Sequence, residues 1–231
     1  MSDIKFTIDG KECTAKNGQT IVEAAKANRI YIPVLCHFDG LKPAGTCRIC
    51  TVKIDGWKFA AACTTPVTEG MAVENDTPQL QEMRKEIVEM LFVEGNHMCP
   101  VCEKSGNCEL QALGYRYKMM VPRFPYLWPK RTVIADAPKI YLDRNRCVLC
   151  LRCVRDIKTS DGKHVFGVTM RGGQTIISMD KKLAASLSED VALKAMNQCP
   201  VGCILRKEVG YKIPIGQRKF DVKPIGSELE G

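Results

Sequence analysis

Apolar and polar positions fall into short, well-separated periods. Ile4-Lys5-Phe6-Thr7-Ile8 alternates, Asp9-Gly10 supplies a tight turn, and a second strand follows, which predicts a β-hairpin. Thr20 stands at the N-cap of a short helical run, Ile21-Val22-Glu23-Ala24-Ala25-Lys26-Ala27. Thr51 to Ile54, the turn Asp55-Gly56 and Trp57 to Phe59 predict another hairpin, and Met71 to Glu74 a closing strand. Thr77 caps and Pro78 opens a long amphipathic helix carrying Leu80, Met83, Ile87, Val88, Met90 and Leu91, with Gly95 as its stop. Lys139 to Leu142 reads as a strand, with a short helix behind Cys147. Val165 to Met170 and Thr175 to Ser178 flank Gly172-Gly173 as a hairpin. Ser186 and Glu189 fit a capping box for a helix ending near Gln198. Between these lies Val121 to Pro129, whose Phe124, Tyr126, Leu127 and Trp128 are costly to expose; it reads as an ordered connector or docking segment. Lys212 to Gly231 is polar and aperiodic, a tail or an arm that orders on a partner.

Two hairpins around one helix are the ingredients of a β-grasp unit, so the chain is predicted to be α+β at its start. Composition changes the picture most through cysteine, with 13 in 231 residues. Apart from Cys13 they form three groups: 36, 47, 50 and 63; 99, 102 and 108; 147, 150, 153, 199 and 203. The grouping predicts modules at 1–76, 77–136 and 137–210, followed by a tail or docking arm at 211–231. Modules this small commonly use metal as part of their core. The first residues lack an apolar signal-peptide core and no apolar run reaches the ~20 residues of a membrane span, which predicts a cytoplasmic protein. A reducing compartment disfavours structural disulfides, so the thiols are read as metal ligands.

Cys36, Cys47, Cys50 and Cys63 present one Cys-x-x-Cys pair and two separated cysteines. That set could hold zinc or a [2Fe–2S] cluster, although the plant-type ferredoxin spacing is different. The loop from Cys36 to Cys50, with Gly40 and Gly45, suits a cluster whose sulfurs accept backbone N–H groups. At these residues the segment resembles the [2Fe–2S] domain of the cluster-bearing subunit of respiratory complex I and of related NAD-linked hydrogenase subunits. The resemblance implies that Cys36, Cys47, Cys50 and Cys63 are the four ligands.

In the second group three cysteines leave a four-iron cube one ligand short, and His97 is the nearest donor. The complex I family has a cluster with one His and three Cys ligands, and Cys99, Cys102 and Cys108 match its Cys-x2-Cys-x5-Cys spacing. His97 departs from it: the family gap to the first cysteine is three residues, and here it is one. His37 and His164 are read as surface or satisfied histidines.

Cys147, Cys150 and Cys153 form Cys-x2-Cys-x2-Cys, and Ile157 stands where a two-cluster ferredoxin would have its fourth cysteine. The remote ligand of a bacterial-ferredoxin-like [4Fe–4S] domain is a Cys-Pro cysteine, here Cys199, and Cys199-Pro200-Val201-Gly202 resembles the matching complex I segment. Cys203 and Cys13 are read as buried free thiols outside the ligand set, with an exchange of roles between Cys199 and Cys203 as the alternative.

The formal charge of +8 would suggest a nucleic-acid or membrane partner. Eleven ligand thiolates and three oxidised inorganic cores of about +2 each bring it to about +3. Basic runs with interleaved aromatic platforms are absent from the sequence, so no nucleic-acid partner is expected. No Gly-x-Gly-x-x-Gly, P-loop or nucleophile elbow occurs either. One [2Fe–2S] and two [4Fe–4S] clusters would make the chain an electron relay with no catalytic residue of its own, fed and drained by other subunits.

The resemblance covers roughly residues 3 to 210. It is also shared with the front end of [FeFe]-hydrogenases. At this length it points to the small diaphorase subunit of NAD-reducing bidirectional [NiFe]-hydrogenases. That implies an FMN- and NAD-binding diaphorase subunit on one side and the hydrogenase small subunit on the other. The alternatives are a short cluster subunit of an NAD-dependent formate dehydrogenase or complex I-like assembly, and a multi-site zinc-binding adaptor. The zinc protein would be colourless, the iron–sulfur protein brown.

Overall fold

The structure, a computed structural model, describes residues 3–229. Its first part is the mixed sheet that the two hairpins require. Strands β1 (Ile4–Ile8), β2 (Lys11–Ala15), β3 (Thr51–Ile54), β4 (Lys58–Ala61) and β5 (Ala72–Glu74) lie in the order β2-β1-β5-β3-β4. The two hairpins are antiparallel, with Phe6 opposite Cys13 and Val52 opposite Ala60. Strand β5 joins them, running parallel to β1 and antiparallel to β3. Helix α1 (Ile21–Ala27) crosses the sheet, opened by a complete capping box between Thr20 and Glu23. This is the β-grasp arrangement. Its core joins Phe6, Ile8, Ile21, Val52 and Val73, and Cys13 is buried in it as a small apolar side chain.

Helix α2 (Pro78–Val93) begins where Thr77 and Pro78 predict, with the Thr77 hydroxyl accepting from the Leu80 amide. It ends at Val93, two residues before Gly95. A second helix, α3 (Glu109–Arg116), packs on it. The last part contains β6 (Val133–Ile134), β7 (Ile140–Asp143), α4 (Arg152–Asp156), β8 (Phe166–Thr169), β9 (Ile176–Met179), α5 (Lys181–Ala185), α6 (Glu189–Gln198) and β10 (Ile204–Arg206). Strands β10, β7 and β6 form one small sheet in that order, and β8 and β9 form the hairpin around Gly172-Gly173. Helix α6 is capped by Ser188, not Ser186. The chain first makes α5, capped by Asp180, and Ser186 closes that turn by donating to the Leu183 carbonyl.

These later elements share one core. Val88 and Phe92 of α2 and Leu110 and Leu113 of α3 join Ile140, Leu142, Ile157 and Phe166 in a single cluster, which also reaches Leu35 and Ile49 beside the first cysteine group. The segment after α2 therefore has no apolar core of its own.

The connector from Val121 to Pro129 is held by its backbone. The Leu127 amide donates to the Val93 carbonyl at 3.1 Å, Asn96 Nδ2 donates to the Pro129 carbonyl at 2.8 Å, and Arg123 pairs with the buried Glu89. Tyr126 stacks on Trp128, and Leu127 and Trp128 remain exposed.

The C-terminal segment, expected as a free tail or as an arm ordered by a partner, folds back over its own chain. A short helix, α7 (Lys219–Val222), lies against the second cysteine group: the Phe220 amide donates to the Gly106 carbonyl and the Lys219 amide to Asn107 Oδ1. Arg116 then donates to the Ile225 carbonyl, and Gly226 approaches the Tyr31 ring so closely that a Cβ would not fit. Among the described residues, no helix is long and apolar enough to cross a membrane.

Candidate metal centres

The fold gathers the three cysteine groups that the sequence separates. In the first, the Cys36 thiol contacts those of Cys47 and Cys63, and Cys63 contacts Cys50. Hydrogen bonding from Cys47 and Cys63 pushes the Cys36 thiol far down. Cys63 brings Cys50 to about 7, while the same contacts push Cys47 and Cys63 up. Four sulfurs in this chain of contacts form a compact donor set suited to thiophilic metal. Arg48, between Cys47 and Cys50, holds the left-handed conformation with φ 59°. That conformation costs about 1–2 kcal/mol for a residue with a side chain. At this turn the Ile49 amide reaches Cys47 Sγ.

In the second group, His97, Cys99, Cys102 and Cys108 line one cavity with Gln111, Arg146 and Gly202. His97 is held down to about 4, chiefly by burial, so its imidazole is neutral near pH 7. It hydrogen-bonds to the backbone of Leu91, and Nε2 is buried with no partner. A neutral ring with one nitrogen anchored and the other orphaned is the arrangement a metal-ligating histidine uses. Phe92 meets the ring edge-on, with centroids 5.3 Å apart. Gly95 permits this placement, since a Cβ there would lie 2.5 Å from His97 Nε2. Cys108 is the N-cap of α3 and accepts from the Gln111 amide at 3.5 Å, a position that favours thiolate once metal compensates burial. Burial is the chief cause that raises Cys108 to about 12, with Cys102 and Cys99 adding to it and the Gln111 amide opposing it.

The third cavity is lined by Cys147, Cys150, Cys153, Cys199 and also Cys203. Leu149 and Leu151 are both left-handed, with φ 50° and 59°, and the Leu149 amide donates to Cys147 Sγ at 3.4 Å. Cys203 is buried, as read, and stands beside the ligand set; its thiol contacts both Cys147 and Cys199. Among the described residues no three His, Cys, Asp or Glu side chains converge on a single-ion position. A cluster instead takes each ligand on one of several irons, so its donors line a cavity.

Three arginines tie the groups together. Arg155 Nη2 donates to the Cys36 carbonyl at 2.6 Å and to the Cys150 carbonyl at 3.2 Å, joining the first group to the third. Arg146 Nη1 lies 3.7 Å from Cys102 Sγ and 3.4 Å from the Gly202 carbonyl, joining the second to the third. Arg152 is buried among all three: it pairs with Glu109 beside Cys108, donates to the Gln198 carbonyl beside Cys199, and lies over the Phe38 ring. His164 is exposed, as expected, but His37 is not a surface or satisfied residue. It is buried and neither ring nitrogen has a hydrogen-bond partner.

Three family models match in order along the chain. They are a 2Fe-2S iron-sulfur cluster binding domain at residues 2–78, an NADH-ubiquinone oxidoreductase-G iron-sulfur binding region at 84–123, and the ferredoxin-like domain of NADH-quinone oxidoreductase subunit 3 at 137–205. Over 230 residues the chain is 47% identical to the NAD-reducing hydrogenase HoxS subunit gamma of Cupriavidus necator, covering 99% of this chain and 98% of that protein. The chain belongs to this HoxS gamma family.

Its α+β fold, with the β-grasp [2Fe–2S] domain first and the ferredoxin-like domain last, is the one the sequence predicts. A crystal structure of NAD+-reducing [NiFe]-hydrogenase in the H2-reduced state contains a chain similar to it, with a TM-score of 0.89 and 38% identity over 96% of this chain and 94% of that one. The mitochondrial NADH-ubiquinone oxidoreductase 78 kDa subunit of Candida albicans is 31% identical over 92% of this chain, which spans only 30% of that protein. The family models make iron–sulfur, not zinc, the chemistry of the donor sets. Sequence reasoning missed Arg146, Arg152 and Arg155 as bridges; the contacts of each that cross from one group to another span 43 to 119 residues of chain.

Proposed function

We propose that this chain is the iron–sulfur relay subunit of a cytoplasmic NAD-reducing [NiFe]-hydrogenase, without a substrate site of its own. The near full-length match to HoxS subunit gamma carries this reading. Cys36, Cys47, Cys50 and Cys63 hold a [2Fe–2S] cluster. His97, Cys99, Cys102 and Cys108 hold one [4Fe–4S] cluster, and Cys147, Cys150, Cys153 and Cys199 hold the other. When bound, the clusters supply one-electron acceptor sites. The chain's own residues fix these sites relative to one another. Arg155 links the first ligand loop to the third, and Arg146 links the third to the second. The third site thus stands between the other two in the hydrogen-bond network. Half-buried guanidinium groups at both junctions offset the charge of the ligand thiolates.

The partners are a diaphorase subunit binding FMN and NAD(H), and the hydrogenase small subunit with its [NiFe] large subunit. Exposed Leu127 and Trp128, on a backbone pinned to α2, offer an apolar docking surface. Gentle purification of a tagged chain tests the reading. A flavin-containing NAD-binding subunit and nickel should co-purify with it; recovery with molybdenum or tungsten and formate dehydrogenase activity would reject it.

A further inference from the structure

The third cavity contains one sulfur more than a four-iron cube needs. Cys147, Cys150, Cys153, Cys199 and Cys203 all line it, and Cys199 and Cys203 are both buried. Cys203 lies within hydrogen-bonding reach of both Cys147 and Cys199. The backbone makes this contact definite. The Asp143 amide donates to the Cys203 carbonyl at 2.7 Å, at the start of the pairing between β10 and β7, so residue 203 is anchored to the small sheet. Its neighbour Gly202 is equally constrained, with a Cβ there lying 2.5 Å from Cys102 Sγ. The segment from Cys199 to Cys203 therefore turns both of its thiols into the same cavity. The Cys13 thiol offers a contrast: it is buried in the β-grasp core and contacts no other cysteine sulfur group of this kind.

We propose that Cys203 is a reserve ligand of the third iron–sulfur cluster, able to replace Cys199 on iron. The proposal rests on the assignment of Cys199 as the resident fourth ligand. The exchange is a ligand substitution without electron transfer. The Cys199–iron bond breaks, the Cys203 thiol passes its proton to the departing Cys199 thiolate beside it, and a Cys203–iron bond forms. The cluster keeps four thiolate ligands and its overall charge. Because the new sulfur approaches from a different backbone position, its hydrogen bonds differ, and so do the spectrum and potential of the cluster.

The test compares Cys199→Ala, Cys203→Ala and the double variant. Each is purified anaerobically in the complete complex, and iron, acid-labile sulfide and low-temperature electron paramagnetic resonance are measured. The expected pattern is full iron in both single variants, a shifted resonance in Cys199→Ala, and loss of about four irons in the double variant. Loss of about four irons, or failure to fold, in Cys199→Ala alone overturns the reserve role while leaving Cys199 as the ligand. Loss of the cluster in Cys203→Ala with retention in Cys199→Ala instead overturns the ligand assignment itself. Retention in the double variant rejects both.

Discussion

Arg152 holds Glu109 in a two-pronged ion pair, with Nη1 2.9 Å from Oε1 and Nη2 2.7 Å from Oε2. The arginine is buried and follows Cys150 by two residues; the glutamate follows Cys108 directly. One pair therefore ties the loop of the second site to that of the third. Glu109→Gln would put a neutral amide where the carboxylate accepts from buried Arg152, and a hydrogen bond to a charged group is worth about 1.5–3 kcal/mol. Thermal unfolding of the anaerobic protein should show a clear loss of stability. The lost negative charge should also raise the potential of the third cluster, since Arg152 lies within electrostatic range of Cys150 and Cys199. A variant with wild-type melting and potential would show that the pair does neither.

Arg155 makes a different kind of bridge, since its acceptors are all backbone carbonyls, those of the ligand cysteines Cys36 and Cys150 and of Lys42 and Leu151. Arg155→Ala should retain all the iron but loosen the junction between the first and third sites. Each lost hydrogen bond to the charged group is worth about 1.5–3 kcal/mol. Magnetic coupling between the reduced [2Fe–2S] cluster and its neighbour, read by electron paramagnetic resonance, should weaken, and electron exchange between them should slow. Unchanged coupling would mean that the remaining core holds the two loops without the arginine.

The elements that could be read in the sequence were those with local causes. Thr20 and Glu23, Thr77 and Pro78, and the turns at Asp9-Gly10 and Asp55-Gly56 each act within a few residues, and each appears where its chemistry predicts. Strand β6 was not legible because it is only two residues long, and β10 because it exists through pairing with β7 far back in the chain. Helix α3 starts on Cys108, a cap whose sulfur was accounted for only as a metal donor. The ligand groups were legible through spacing, but their mutual placement was not. It depends on Arg155 reaching Cys36 and on the Glu109 amide donating to the Pro200 carbonyl, contacts that no local pattern encodes.

Gly202 provides a steric test of how closely the second and third sites are nested. A Cβ at this position would lie 2.5 Å from Cys102 Sγ and 3.3 Å from the Lys104 Cβ. Gly202→Ala should therefore disturb the second site although residue 202 belongs to the loop of the third. The expected result is partial loss of the His-ligated cluster, with the [2Fe–2S] signal intact. Full occupancy of all sites would show that the loop can yield by the required distance.

Metal removal tests whether the clusters are part of the core. The wild-type chain should contain about ten irons and no stoichiometric zinc. Chelation under reducing conditions should unfold the region after α2 before the β-grasp domain. In the shared core Cys108, Cys153, Cys199 and Cys203 stand among the apolar side chains; the β-grasp core also holds Cys50 and Cys63, but a 5-stranded sheet and α1 carry it besides. Hydrogen exchange of the chelated protein should show surviving protection in β1, β3 and β5. Uniform protection throughout would mean that metal contributes little to the later fold.

His97 is the ligand whose spacing departs most from the complex I pattern, with one residue before Cys99. The structure nevertheless puts its unpartnered Nε2 beside the cavity lined by Cys99, Cys102 and Cys108. His97→Cys should keep a four-iron cube at a lower potential, because a thiolate adds negative charge where the imidazole was neutral. His97→Ala should leave one iron without a protein ligand and give a labile cluster prone to oxygen damage. Gly95→Ala should produce a milder form of the same defect, since its methyl group would press on His97 Nε2 and displace the ring. Redox titration followed by low-temperature resonance separates these outcomes from a purely structural histidine. If the ring only fills space against Phe92, His97→Cys would leave the potential unchanged, and that result would remove His97 from the ligand set.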